Sequence, residues 1–146
     1  MNQQYQKWKN KTLESLEKRV WPELSEMDKQ DWLIVECNAL RKKRIKDFTI
    51  ENLRQMIEQD IGLEFLIPFA IEELEMDIIA RGECYEGDLL NNVLRSDEKF
   101  WKSSKENWKK ICKLFEKNKT RLKGNEVSSD IKNEIFDNFK KFEMIN

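Results

Sequence analysis

The segment from Leu63 to Met76, LEFLIPFAIEELEM, constrains the fold more than any other part of the chain. A surface helix carries apolar residues on one face only, whereas this segment is apolar nearly all round. Its main stripe consists of Leu63, Leu66, Ile67, Ala70 and Leu74, and is widened by Phe65, Phe69 and Met76. The pattern predicts a buried central helix at about residues 63–77. Pro68 should either kink this helix or lie in its first turn.

The rest of the chain is also expected to be helical. Only four glycines and two prolines occur in 146 residues, too few for the many turns of an all-β fold. Five tryptophans and eight phenylalanines argue against disorder, because disordered chains are poor in aromatic residues. The composition predicts a single compact all-α domain, residues 1–146, with five to seven helices around the central one.

Capping residues mark the expected helix boundaries. Ser25 and Thr49 each precede a helical pattern and are predicted N-caps, and Gly62 is predicted to end the helix that Thr49 begins. The stretch Ser103-Ser-Lys-Glu106 has the spacing of a capping box. Two terminal helices complete the prediction, one amphipathic helix within residues 1–24 and an extra C-terminal helix within residues 124–146.

Charge is sorted along a chain whose net charge is only −1. Residues 41–46 hold five basic residues and no acid, residues 47–98 hold 14 acids and three bases, and residues 99–123 hold ten bases and two acids. Such segregation favours an acidic surface that meets a basic partner, because complementary fields steer association. A solvated helical face is the alternative interpretation of the same acids.

The stretch GECYEGDLLNNVL, residues 82–94, raises the question of chemistry because it contains Glu83, Glu86 and Asp88. Three close carboxylates could form a hydrolytic pair or a Mg²⁺ site, but their spacing matches no known motif of either kind. A helix start explains them better: Gly87 allows a tight turn and Asp88 caps the helix. Its buried face would contain Leu89, Leu90, Val93 and Leu94.

Residue types suited to catalysis are scarce. The chain has no histidine, the usual general base and metal ligand. Cys84 therefore lacks an activating base, and Cys37, Cys84 and Cys112 form neither a metal motif nor a disulfide pattern. We expect no catalytic residue, metal or cofactor. The polar N-terminus does not resemble a signal peptide, and no apolar run is long enough for a membrane span, so we expect a cytoplasmic protein without membrane contact.

Two basic segments, residues 41–46 and 99–123, could instead bind nucleic acid. Single-stranded nucleic acid is usually held by aromatic side chains placed among the cations. Here the pattern puts Trp101 and Trp108 on the helical face opposite the lysines, which favours a role in the core. Solvated helical faces therefore explain the lysines better, and a small nucleic-acid-binding or regulatory module is the alternative function.

An ordered set of residues resembles a known family, the immunity proteins of bacterial contact-dependent growth inhibition (CDI) systems. The set comprises Thr49, Gly62, Pro68, Gly82, Gly87, Asp88, Leu89, Leu90 and Trp101. It covers a family-like core of about residues 38–115. Arg44 departs from the pattern, in which proline follows the Leu-Arg-Lys-Lys run, and residues 1–30 and 124–146 have no recognisable counterpart.

The resemblance implies a non-enzymatic all-α protein that neutralises the C-terminal toxin domain of a large exoprotein in the cytoplasm. Many such toxins are nucleases with basic grooves, which an acidic surface could cover. Residues common to a whole family are expected to specify the fold, so the toxin contacts should lie among the surrounding side chains. The predicted toxin-binding residues are Glu72, Glu73, Glu75, Asp77, Glu83, Tyr85 and Glu86.

Overall fold

The computed structural model describes residues 3–146, which form helices connected by short loops. The helices are α1 (Gln3–Trp8), α2 (Leu13–Leu16), α3 (Trp32–Leu40), α4 (Ile50–Glu58), α5 (Leu63–Met76), α6 (Asp88–Arg95), α7 (Glu98–Ser103), α8 (Lys105–Lys117), α9 (Lys119–Leu122) and α10 (Ser129–Glu143). Two 3-10 turns lie at Asp28–Gln30 and Ile45–Asp47. The all-α prediction is confirmed: six helices have eight or more residues, and four are shorter.

Helix α5 lies at the centre of the core, as the sequence predicts. Eight of its 14 residues are buried, including Leu66, Ile67 and Ala70, whose side chains are fully enclosed. Pro68 is the sixth residue of α5, beyond the first turn, and the helix continues through it. Since proline has no N–H, this position gives up one helical hydrogen bond in exchange for a buried ring.

Helix α6 connects the central part of the chain to its C-terminus, because it packs against both α4 and α10. Helix α10 contributes Ile135, Phe139 and Phe142 to the core. The rings of Phe139 and Phe115 stack with centroids 3.7 Å apart, and Trp101 is fully buried against Phe142. The C-terminal helix is therefore part of the same hydrophobic core as α5.

The N-terminal region differs from the prediction of one amphipathic helix. Two short helices, α1 and α2, are separated by a turn whose carbonyls accept hydrogen bonds from the segment after α3. Ile45 N donates to Lys11 O at 3.0 Å, and Lys46 N donates to Lys9 O at 2.9 Å. Thr12 then caps α2 through its hydroxyl. These long-range bonds leave no room for a continuous helix; residues 1 and 2 lie outside the described part.

The predicted Thr49 cap is present, whereas Ser25 does not cap α3. Thr49 and Asn52 form a reciprocal capping box at the start of α4, as the Thr49 prediction requires. Ser25 also exchanges hydrogen bonds with Asp28, but only a 3-10 turn follows. The cap of α3 is Asp31, whose carboxylate accepts from the N–H groups of the first turn. The prediction that Ser25 caps the following α-helix is therefore wrong, because the cap of α3 is Asp31.

Two other boundary predictions are also corrected. Helix α4 ends at Glu58, so Gly62 immediately precedes α5 rather than ending α4. Ser103 and Glu106 do not form a capping box, because Ser103 is still helical and its hydroxyl donates to the Phe100 carbonyl. Within residues 3–146, no helix combines the length and the apolar character needed to cross a membrane.

Candidate functional site

The loop between α5 and α6 is held in shape by one buried carboxylate. The side chain of Asp88 is fully buried, and it accepts hydrogen bonds from Gly82 N at 2.7 Å, Cys84 N at 3.0 Å and Tyr85 N at 3.3 Å. The predicted helix start is present, but the N-cap position is occupied by Gly87. Asp88 thus organises the loop that precedes α6, and the predicted helix-capping role of its side chain is wrong.

Two glycines allow the loop to close this tightly. Gly87 has φ of +90°, a left-handed conformation that side chains other than glycine rarely adopt. Gly82 lies against Glu51, and a Cβ atom at this position would collide with the Glu51 carboxylate and lie 3.2 Å from its Cα. These two of the three glycines in the family resemblance, Gly82 and Gly87, therefore have a local steric reason.

Arg54 lies beneath the loop at the centre of a charged network. Its guanidinium contacts the Glu51 carboxylate through two nitrogens at 2.6 and 2.7 Å and the Glu58 carboxylate at 2.8 Å. Asp88 is 4.0 Å away. The hydrogen bond from Arg54 lowers the pKa of Glu51 below its usual value, and the same bond raises the pKa of Arg54. Glu51 and Arg54 therefore form a charged pair at neutral pH.

Three atoms that could bind a metal ion lie within 4.8 Å of one another. They are a carboxylate oxygen of Glu51, the sulfur of Cys84 and a carboxylate oxygen of Asp88. A metal ion there would have to displace Arg54, because Glu51 already binds its guanidinium and Asp88 already accepts three N–H groups. Burial raises the pKa of the Cys84 thiol, an effect only partly offset by Arg54. The thiol is thus protonated at neutral pH, which does not suit a nucleophile.

The far side of the loop is anchored to the C-terminal helix. Asn91, which is fully buried, donates to the hydroxyl of Tyr85 at 2.9 Å and to Glu134 at 3.0 Å. Asn138 in turn donates to Asn91 at 2.8 Å. Of the predicted contact residues, Tyr85 is therefore half-buried with its hydroxyl occupied. Glu83 and Glu86 are exposed at the surface of this rigid loop.

The predicted acids of α5 lie beside basic side chains. Glu72 and Glu75 line a groove of about 450 Å³ that also contains Glu106 and Lys110. The groove joins α5 to α8, so it brings part of the acidic segment next to part of the basic segment 99–123. Glu106 is an acid of this groove that the charge count along the chain did not single out.

Several other predicted acids have cations close by. Glu73 and Glu72 line a smaller cavity of about 250 Å³ together with Lys9 and Lys46. Asp77 lies 2.9 Å from the guanidinium of Arg121, and Glu86 lies 2.9 Å from that of Arg81. These ion pairs partly neutralise Asp77 and Glu86.

The basic segment 41–46 is largely occupied by internal contacts. Arg41 is only 1% exposed, and its guanidinium binds the Glu17 carboxylate and the Arg19 carbonyl. Lys43 donates to Asn52, and Arg44 pairs with Asp47. Few of these cations are left to bind phosphates, which weakens the case for nucleic-acid binding there.

The lysine-rich segment 99–123 contains tryptophans that face inward, as the sequence predicts. Trp101 is fully buried and donates to Ser96 Oγ. Trp108 is half-buried and donates to the Phe142 carbonyl at 2.8 Å. Neither ring is placed among the lysines as a stacking platform for bases.

The network around Arg54 was not anticipated from the sequence, although a signal for it exists. Glu51, Arg54 and Glu58 have the i, i+3 and i+4 spacings of helical ion pairs. Arg54 also adjoins Leu53 in a helix whose other face is apolar, which places its side chain near the core boundary. The contact with the loop, by contrast, depends on tertiary structure alone.

Comparison with known proteins gives one match. The family model described as CDI immunity proteins matches residues 15–111, about two thirds of the chain. The match begins before residue 38, where the motif resemblance starts, and includes α3 to α7 and the Asp88 loop. No curated protein and no solved structure matches the chain.

Proposed function

Because the chain belongs to the family of CDI immunity proteins, we propose that it binds and neutralises one cognate toxin. The toxin would be the C-terminal domain of a large exoprotein, a nuclease with a basic substrate groove. The family match over residues 15–111 is the observation that carries this proposal. The protein acts in the cytoplasm by non-covalent docking and performs no reaction of its own.

The rigid loop between α5 and α6 supports a role in docking. Its backbone is fixed by Asp88 and Glu51, so little conformational freedom is lost when Glu83 meets a partner. Glu72, Glu75 and Glu83 have no ion-pair partner among the described residues. Their charge is therefore available to a basic surface, whereas the ion pairs of Asp77 and Glu86 partly neutralise those two acids.

The proposed function does not include catalysis, because residue types suited to catalysis are scarce in the chain. The sequence contains no histidine, and partial desolvation raises the pKa of the Cys84 thiol, which disfavours the reactive thiolate. The charged groups near Cys84 are bound to one another through Arg54. An inhibitor needs only a complementary surface, which such a fixed arrangement can provide.

The proposal is tested by co-expression with the C-terminal domain of the exoprotein encoded directly upstream. We expect that domain alone to stop growth and to become harmless when this chain is produced with it. The two proteins should also co-purify. An unprotected cell that contains the folded chain would contradict the proposal, as would the absence of a complex at micromolar concentrations.

The contribution of the acids is tested by charge reversal. The variant Glu72→Lys, Glu75→Lys, Glu83→Lys should bind the toxin domain roughly 10-fold more weakly at low salt, mainly through slower association. Since the three side chains make no ion pair, the fold should persist by circular dichroism. Binding should be measured by stopped-flow fluorescence at several salt concentrations.

A matched control places the same charge change on the C-terminal helix. The variant Asp130→Lys, Asp137→Lys, Glu143→Lys alters three exposed acids of α10 and raises the net charge equally. Its association rate should fall much less than that of the test variant. Equal losses in both variants would indicate that only net charge matters, and an unchanged test variant would place the interface elsewhere.

A further inference from the structure

Exposed apolar side chains are concentrated in one part of the chain. In residues 3–146 the large apolar side chains that are exposed are Val20, Met27, Trp32, Ile34, Val35, Met76 and Met144. Five of these seven lie within residues 20–36, which we call the α3 surface. Single exposed apolar residues need no explanation, whereas a contiguous group marks an interaction site.

Helix α3 is the main element of this surface. Its sequence, WLIVECNAL, is apolar apart from Glu36 and Asn38, yet it buries only Cys37 and Leu40. It packs against α4 and the 3-10 turn at Asp28–Gln30. Leu33 is partly buried against the core, whereas Trp32, Ile34 and Val35 are exposed. Trp32 is 65% exposed, although a surface helix normally turns polar residues outward.

The segment that precedes α3 is held in position rather than loose. The Arg41 guanidinium binds Glu17 and the Arg19 carbonyl and lies 4.4 Å from the centre of the Trp21 ring. Asp31 then fixes the first turn of α3 through two N–H groups. A surface that is already ordered loses little entropy on binding.

Acidic residues accompany the apolar side chains in the α3 surface. Residues 20–36 contain five acids, Glu23, Glu26, Asp28, Asp31 and Glu36, and one base, Lys29. That lysine is neutralised locally, since it lies 3.2 Å from Glu26. A surface that combines apolar and negatively charged side chains is complementary to a positively charged protein surface that contains an apolar recess.

We propose that the α3 surface is the apolar anchor of the toxin interface, with Trp32 inserted into a recess on the basic face of the toxin domain. This inference rests on the proposed function. It adds to the interface an apolar contact, which the predicted acids do not provide. Acids accelerate encounter, whereas buried aromatic side chains usually supply most of the affinity.

The proposal is tested with two variants that carry the same substitution at different positions of the chain. Met27 and Met144 are 82% and 83% exposed, so Met27→Lys and Met144→Lys add the same charge at equally exposed positions. Against the purified C-terminal domain of the upstream exoprotein, Met27→Lys should weaken binding about 10-fold or more, and Met144→Lys less than about 3-fold. Trp32→Ala should weaken it about 30-fold or more.

The outcomes separate this inference from the proposed function. If the wild-type chain binds and protects while all three variants bind equally well, the α3 surface is not the interface although the function stands. If the wild-type chain itself does not bind, both proposals fail. If sedimentation reveals a dimer that Met27→Lys dissociates without weakening toxin binding, the surface belongs to a second copy of the chain and the inference is overturned.

Discussion

Replacing Asp88 with alanine is expected to lower the free energy of unfolding by about 3–5 kcal/mol. Three backbone N–H groups would lose their acceptor in a fully buried site, and Arg54 would lose a neighbouring negative charge. Alanine also leaves a cavity at the base of the loop. Urea unfolding followed by circular dichroism measures the loss directly.

Two further variants calibrate that result. Glu86→Ala removes an exposed carboxylate from the same loop and should leave the urea midpoint unchanged. Asp88→Asn retains one acceptor oxygen, so its free energy of unfolding should lie between those of Asp88→Ala and the wild type. A loss below about 1 kcal/mol for Asp88→Ala would mean that the loop is not held by this carboxylate.

Replacing Arg41 with methionine is expected to cost about 2–3 kcal/mol and to release residues 17–21. The substitution removes the hydrogen bonds to Glu17, at 2.8 and 3.3 Å, and to the Arg19 carbonyl, at 2.9 Å. It also removes the cation over the Trp21 ring. Trypsin should then cleave rapidly after Lys18 and Arg19, as mass spectrometry of the fragments would reveal.

The matched control for Arg41 is its neighbour Arg44. Arg44→Met removes a cation whose one ion pair within residues 3–146 is the exposed contact with Asp47, so stability and proteolysis should match those of the wild type. Trypsin should cleave Arg41→Lys nearly as rapidly as Arg41→Met, because one ammonium group cannot reproduce the forked contacts of a guanidinium. Resistance of the 17–21 segment in Arg41→Met would show that other contacts hold it.

Helical periodicity was enough to predict the centre of this fold. The all-round apolar pattern identifies α5, and the Thr49 signature identifies the start of α4, since both depend on neighbours in sequence. The N-terminal region was mispredicted for the opposite reason. Lys9 and Lys11 accept hydrogen bonds from residues more than thirty positions away, which no local pattern reveals.

The candidate site was less predictable, because charge along a chain is not charge on a surface. Folding brings Arg121 to Asp77, so part of the acidic segment is neutralised by a basic one. It also places Lys110 in the groove that Glu72 lines, without an ion pair between the two. Asp88 is fully buried, but its side chain does not cap α6 as predicted. The donors to the Asp88 carboxylate are N–H groups of the loop that precedes α6. The position of Asp88 before Leu89 and Leu90 does not reveal that its carboxylate turns back toward this loop.

Helix α10 gives the limits of the family match a practical meaning. The family model matches residues 15–111, whereas the core also includes Ile135, Phe139 and Phe142. A fragment cut at residue 111 would divide α8 and leave the α10-facing side of α6 in water. The folded unit therefore extends beyond the matched residues, and a shortened version of this protein has to keep the chain through Phe142.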